Sequence, residues 1–267
     1  MPSRSRVLLA ALAVSATSLP AQATPRERTP LVTRREVVLG LVGAAASVGL
    51  MQYDTDIARW IRDPARQGAG ARRLASGAKL VNEKSLFAAE MVLWGAGRLT
   101  RQETLADASW HAAEAVGITT LSTTIVRVAL GRTRPFVTGG DDPFDYHPFK
   151  GAGSQAYRSI PSLHSAAAFT TAAALTGETR RRRPGLTKVV APLTFAAATL
   201  PGLGRMHADK HWASDVALGA VWGTLIGTST VRWHHEHVDR LDRWMLGVGA
   251  APDGQAGLTL TRVAPRW

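Results

Sequence analysis

The chain contains no cysteine. Disulfides, thiolate metal sites and a cysteine nucleophile are therefore excluded, and any chemistry has to come from His, Ser, carboxylates or cations. Acidic side chains are also scarce: 20 Asp and Glu stand against 32 Lys and Arg, a net charge of +12. That balance favours anionic partners, whether nucleic acid, an anionic membrane surface or phosphorylated small molecules. Internal repeats and low-complexity tracts are absent as well. Uncharged runs are common, yet each falls just short of the roughly 20 residues that span a bilayer. At 267 residues the chain is long enough to bury a core as one domain.

Two Arg in Met1 to Arg6, an apolar stretch from Val7 to Leu19 and the small-x-small pattern Ala21-Gln-Ala23 read as a secretory signal over residues 1–23. Residues 24–35 read as a polar linker ending in the Arg34-Arg35 pair, which resembles a twin-arginine signal or the basic flank of a membrane-contacting helix. Either route predicts export, with a periplasmic or other extracytoplasmic location and contact with an anionic membrane surface. A helical domain is expected over residues 36–245 and a tail or β-hairpin over 246–267. The expected fold is an all-α bundle of about six core helices.

Within it, Val37 to Tyr53 is an uncharged run, and Ser85 to Leu99 and Leu105 to Leu130 read as helices with apolar faces. Gly131 to Arg158, with its Pro, Gly and Asp residues, reads as a long loop of the functional kind. A helix is expected from Ser162 to Gly177, followed by a basic inter-helix turn, Thr179 to Pro184. Leu186 to Leu203 contains Pro192 and Pro201, so a helix there is kinked or begins near Pro192. His211 to Val231 reads as a long helix whose Gly219, Gly223 and Gly227 allow close approach of a neighbour.

Three stretches carry residues that chemistry uses. In Arg127-Val-Ala-Leu-Gly-Arg-Thr-Arg134-Pro135 the two outer Arg lie two helical turns apart, and such guanidiniums repel unless an anion sits between them. Ser159-Ile-Pro-Ser162-Leu163-His164 opens a helix whose free N–H groups suit an anion, with His164 in the first turn. In Gly204-Arg205 to His211 and Asp215, the His and Asp lie one turn apart if helical. The carboxylate then fixes the imidazole tautomer and frees the other nitrogen to attack. Together these supply three guanidiniums, a hydroxyl and amides for a phosphoryl group, one His to attack it and another to protonate the leaving oxygen.

Order and spacing resemble the type 2 phosphatidic acid phosphatase and vanadium haloperoxidase superfamily, whose signatures are K-x-x-x-x-x-x-R-P, P-S-G-H and S-R-x-x-x-x-x-H-x-x-x-D. The matching positions are Arg127 through Arg134-Pro135, then Pro161-Ser162-Leu163-His164, then Gly204-Arg205 through His211 and Asp215. The resemblance implies a metal-independent phosphatase acting on phosphate monoesters or lipid (di)phosphates. His211 would form a phosphohistidine, Asp215 would orient it and His164 would act as acid, then base. Arg127, Arg134, Ser162, the Leu163 N–H and Arg205 would hold the phosphate. It implies no cofactor, no metal and no nucleic acid.

Three positions depart from the signatures. Arg127 stands for Lys, Gly204 for Ser, and Leu163 for Gly, the last adding bulk and forbidding a positive φ at little cost. Competing readings are a vanadate-dependent haloperoxidase using the same residues, a non-catalytic phosphate or phospholipid binder, and a metal site. His207, His211 and Asp215 recur at helical spacing, and His234-His-Glu-His237 forms a second cluster. That second cluster reads as a polar helix end.

Overall fold

The computed structural model describes residue 30 and residues 32–237, 244–250 and 256–262; the signal read over residues 1–23 lies outside them. The fold is all-α. α1 (Arg34–Leu50) continues through a 3₁₀ turn into α2 (Asp54–Arg62), followed by α3 (Ala69–Ala78), α4 (Glu83–Leu99), α5 (Glu103–Leu130), α6 (Leu163–Arg182), α7 (Thr187–His207) and α8 (Ala213–Glu236). Past the bundle, β1 (Trp244–Ala250) pairs antiparallel with β2 (Ala256–Arg262).

Caps set the helix ends. Thr33 and Glu36 form a reciprocal capping box at α1, and Asn82 and Ser85 another at α4. α5 stops where Gly131 turns left-handed. Of the two readings for α7, the one that starts it near Pro192 does not hold: it begins at Thr187 and carries both prolines inside. The basic run is also not a turn, since Arg180, Arg181 and Arg182 form the last turn of α6, where cations face the negative end of the helix dipole. α8 starts at Ala213, so His211 lies before the helix rather than on it.

The interior is built from small residues. Ala112, Ala113 and Ala115 on α5 and Ala166, Ala167 and Ala174 on α6 are buried, and Thr119 and Thr170 bond across the same interface at 2.8 Å. α6 and α8 run parallel in close contact, because Gly219, Gly223 and Gly227 face the Ser162, Ala166 and Thr170 carbonyls. α1 runs antiparallel to α8: Glu36 meets Arg232 at 2.7 Å, Gly43 faces Val221, and the Asp54 carboxylate takes the Ser214 N–H at 2.9 Å.

Large apolar side chains lie outside instead. Leu41, Val42 and Val48 on α1, Leu121 and Ile125 on α5, and Leu193 and Leu203 on α7 are exposed. The segments Arg34–Arg62, Glu103–Leu130 and Pro184–His207 are long and apolar enough to cross a membrane. Small residues between helices and Leu or Val outside is the arrangement lipid rewards.

A Cβ on Gly223 would lie 2.0 Å from the Ala166 carbonyl oxygen, whereas one on Gly117, in α5, would meet nothing. Gly223→Ala is therefore expected to destabilise the bundle by about 3 kcal/mol or more, and Gly117→Ala to stabilise it by up to ~1 kcal/mol. Thermal unfolding of the two purified variants in detergent checks this; equal midpoints would refute the close α6–α8 contact.

Candidate active site

One end of the bundle gathers the C-terminus of α5, the 131–159 loop, the N-termini of α6 and α8, and the last turn of α7. Arg127 and Arg134, separated by the turn at Gly131, both aim at one carbonyl: Arg127 Nε donates to Arg158 O at 3.0 Å and Arg134 Nη2 to the same oxygen at 3.4 Å. Arg205 lies in the last turn of α7, not in a turn leading into the next helix. The Nε atoms of Arg134 and Arg205 are buried with no partner. Burial first, and then the neighbouring Arg127 and Arg205 guanidiniums, push Arg134 down to about 9. Buried donors crowded by like charge are what an oxyanion would relieve.

His164, in the first turn of α6, shares that field. Burial, then Arg205, Arg127 and Arg134, push its imidazole down to about 4. Ser162 is fully buried, and its hydroxyl caps α6 by accepting from the Ser165 N–H at 3.5 Å. Leu163 is the first helical residue of α6 and is not among the residues with positive φ. Leu in place of Gly therefore imposes no backbone strain here. Gly204 also has a local reason: a Cβ there would approach Ala78 Cβ to 2.8 Å, so α3 packs on α7 only if the residue before Arg205 is Gly.

His211 is held differently from the helical spacing argument. Its Nδ1 lies 2.7 Å from the Ser159 carbonyl oxygen and 3.6 Å from Asp215 Oδ2, too long for a hydrogen bond. A carbonyl only accepts, so Nδ1 carries the proton and Nε2 keeps its lone pair. Burial lowers the His211 pKa to about 3, the nearby Asp215 opposing and Arg134 and Arg127 adding to the shift. The ring is thus neutral. Asp215 also reaches it through Ser159, whose hydroxyl donates to Oδ2; the same oxygen accepts the Trp212 N–H at 2.8 Å. Burial alone would raise the Asp215 pKa, but Arg132, His211 and Ser159 hold it below the usual carboxylate value.

Sequence reasoning missed the group that anchors this web. Arg132 is fully buried: Nη1 donates to Asp215 Oδ1 at 2.6 Å and Ser214 Oγ at 2.7 Å, Nη2 to Asp54 Oδ2 at 2.8 Å, and Nε to the Pro143 carbonyl at 2.9 Å. The third Arg between Arg127 and Pro135 was a visible cue; Asp54, at the start of α2, gave none. The competing metal reading of His207, His211 and Asp215 rested on helical spacing, which these residues do not have. α7 ends at His207, and His211 lies in the turn before α8. His207 lines an apolar cavity of about 620 Å³ between α3, α4, α6 and α7, with Ala75, Leu86, Ala172 and Leu203 among its walls.

Residues 108–239 match the PAP2 superfamily. Those residues form a PAP2 superfamily domain. That segment contains all three signatures, from Arg127 to Asp215. Among solved structures, the chain is similar to the first transmembrane PAP2 type phosphatidylglycerolphosphate phosphatase from Bacillus subtilis, at 20% identity and a TM-score of 0.42, over 73% of this chain and 98% of that one. No curated protein matches the sequence.

Arg132→Met would leave the buried Asp54 and Asp215 carboxylates without their shared countercharge. A loss of about 3–5 kcal/mol is expected, against under ~1 kcal/mol for Arg66→Met, which removes an exposed pair with Asp63. Unfolding midpoints in detergent read the difference, and similar midpoints would show that Arg132 anchors nothing.

Proposed function

We propose that this protein is a membrane-located phosphatase that hydrolyses lipid phosphate monoesters or diphosphates through a phosphohistidine on His211, without a metal. The observation that carries the reading is the pairing of an imidazole whose Nδ1 proton is tied to the Ser159 carbonyl with buried, unpartnered Nε–H donors on Arg134 and Arg205. The PAP2 domain supports the reaction class. The apolar cavity lined by Gly204 and His207, which flank Arg205 in the sequence, and the three membrane-length helices favour a lipid over a soluble ester.

In this mechanism Arg127, Arg134 and Arg205 take the equatorial oxygens of the phosphoryl group, with the Leu163 N–H and the Ser162 hydroxyl at the start of α6 completing the cradle. His211 Nε2 attacks phosphorus in line with the leaving oxygen. The Nδ1–H stays on the Ser159 carbonyl, and the Asp215 charge stabilises the positive ring. His164 gives its proton to the departing alkoxide, then removes one from the water that cleaves the phosphohistidine. The phosphate supplies the countercharge that the guanidiniums lack, so binding raises the His164 pKa from its low value in the free protein and readies it as an acid. The pocket is read as facing out of the cytoplasm.

His211→Ala is expected to reduce hydrolysis of a short-chain phosphatidic acid by at least about 10³-fold and to remove acid-labile phosphate from the protein in rapid-quench experiments; near-normal turnover would end the phosphohistidine reading. A panel of lipid and soluble esters decides the substrate class, equal kcat/KM across both arguing against the lipid preference.

The pH dependence follows from His164. Its acid form is required, and in the free protein it is lost as pH rises through about 4. The falling limb of kcat/KM, corrected for the ester's own ionisation, is therefore expected below the ordinary imidazole value of 6.5, with the limb of kcat at higher pH. Superimposed limbs near 6.5 would show that the guanidiniums do not act on His164.

A further inference from the structure

The opposite end of the bundle holds a second cluster, which the phosphatase reading does not use. His111 comes from α5, Glu178 from the end of α6, and His234 and His235 from the last turn of α8. His111 Nδ1 lies 2.6 Å from Glu178 Oε1, and His235 Nε2 lies 3.0 Å from the same oxygen. These ligand atoms lie within 4.8 Å of one another. Along α6, at about 1.5 Å per residue, Glu178 stands roughly 20 Å from His164.

We propose that His111, Glu178 and His235 form a structural binding site for a divalent zinc-type ion that ties α5, α6 and α8 together at the end away from the phosphate pocket.

The donor set is two imidazoles and one carboxylate, which suits zinc or a similar first-row ion better than magnesium or calcium. Metal–ligand bonds of about 2.0–2.2 Å put tetrahedral ligand atoms roughly 3.3 Å apart, so His235 and Glu178 need to open by roughly 0.3 Å and His111 and Glu178 by roughly 0.7 Å. Water would complete the coordination. The surroundings resemble the outer sphere of a metal centre. Arg182 Nε donates to Glu178 Oε2 at 2.8 Å, an oxygen that His235 Nε2 also approaches to 3.1 Å, while Oε1 faces both imidazoles. The His234 ring stacks on His111 with centroids 4.1 Å apart, and its Nε2 lies 2.5 Å from Glu114. Such partners fix ligand orientation. The glycine stripe of α8 lets the α6 and α8 backbones approach, and this brings His235 within reach of Glu178.

The test uses the full chain in detergent, stripped with chelator and dialysed. Added Zn²⁺ is expected to bind at one ion per chain and to raise the unfolding midpoint by about 5 °C or more. Co²⁺ is expected to give an intense visible band typical of four- or five-coordinate nitrogen and oxygen ligation. His235→Gln, at a partly exposed position, is expected to weaken Zn²⁺ binding at least about 100-fold, since even outer-sphere partners contribute 10- to 100-fold. His147→Ala, which removes a His–Asp pair elsewhere on the chain, is expected to leave it unchanged. Failure of the wild-type chain to bind one Zn²⁺, absence of the Co²⁺ band, or binding that survives His235→Gln would each overturn the site. The wild-type measurements decide the matter even where a variant does not fold, and none of them depends on phosphatase activity.

Discussion

A single fully buried guanidinium holds the active end together. Arg132 lies between Asp54 of α2 and Asp215 of α8, with Ser214 and the Pro143 carbonyl taking its remaining donors. A buried ion pair gains stability only when its geometry satisfies the hydrogen-bonding groups around it, and here one fork serves two carboxylates. The constraint passes outward from there. Asp215 is fixed by Arg132, Ser159 by Asp215, and the His211 ring by Ser159, so imidazole orientation depends on a residue that never faces the pocket. The same fork attaches α2, and with it α1, to the start of α8.

Charge organises the pocket as apolar packing organises the bundle. Arg127, Arg134 and Arg205 converge with few internal partners, and burial magnifies their mutual repulsion. This leaves a site that is unfavourable when empty and complementary to a multiply charged oxyanion. The bundle tolerates the strain because its interior is otherwise bland: alanines, glycines and a few paired threonines, with bulky aliphatic residues turned outward where lipid would cover them.

Three signatures in order made the convergence of Arg127, Arg134, His164 and Arg205 legible in the sequence, because the proposed phosphate chemistry restricts both residue type and spacing. The sequence made most helices legible through apolar runs and caps. It did not reveal that His211 precedes α8, since helical spacing and a tight turn before a helix both bring a residue near Asp215. It did not reveal Asp54, whose partner lies 78 residues away and whose local pattern is that of an ordinary acidic first turn. Gly204 looked like a lost hydroxyl, whereas it is a contact point for α3. The histidines near residue 235 looked like a polar helix end until α5 and α6 supplied His111 and Glu178.

The antiparallel register of α1 on α8 has a topological consequence. Glu36 meets Arg232 at one end and Asp54 meets Ser214 at the other, so Arg34 and Glu236 emerge together, a full helix length from the guanidinium pocket. With Arg34–Arg62 crossing a bilayer once, a leader cut off outside the cell would leave that pocket inside, whereas an uncleaved, cytoplasmic Arg34-Arg35 flank puts it outside. With that segment in the bilayer, the pocket would open on the side opposite to the one from which the polypeptide enters α1.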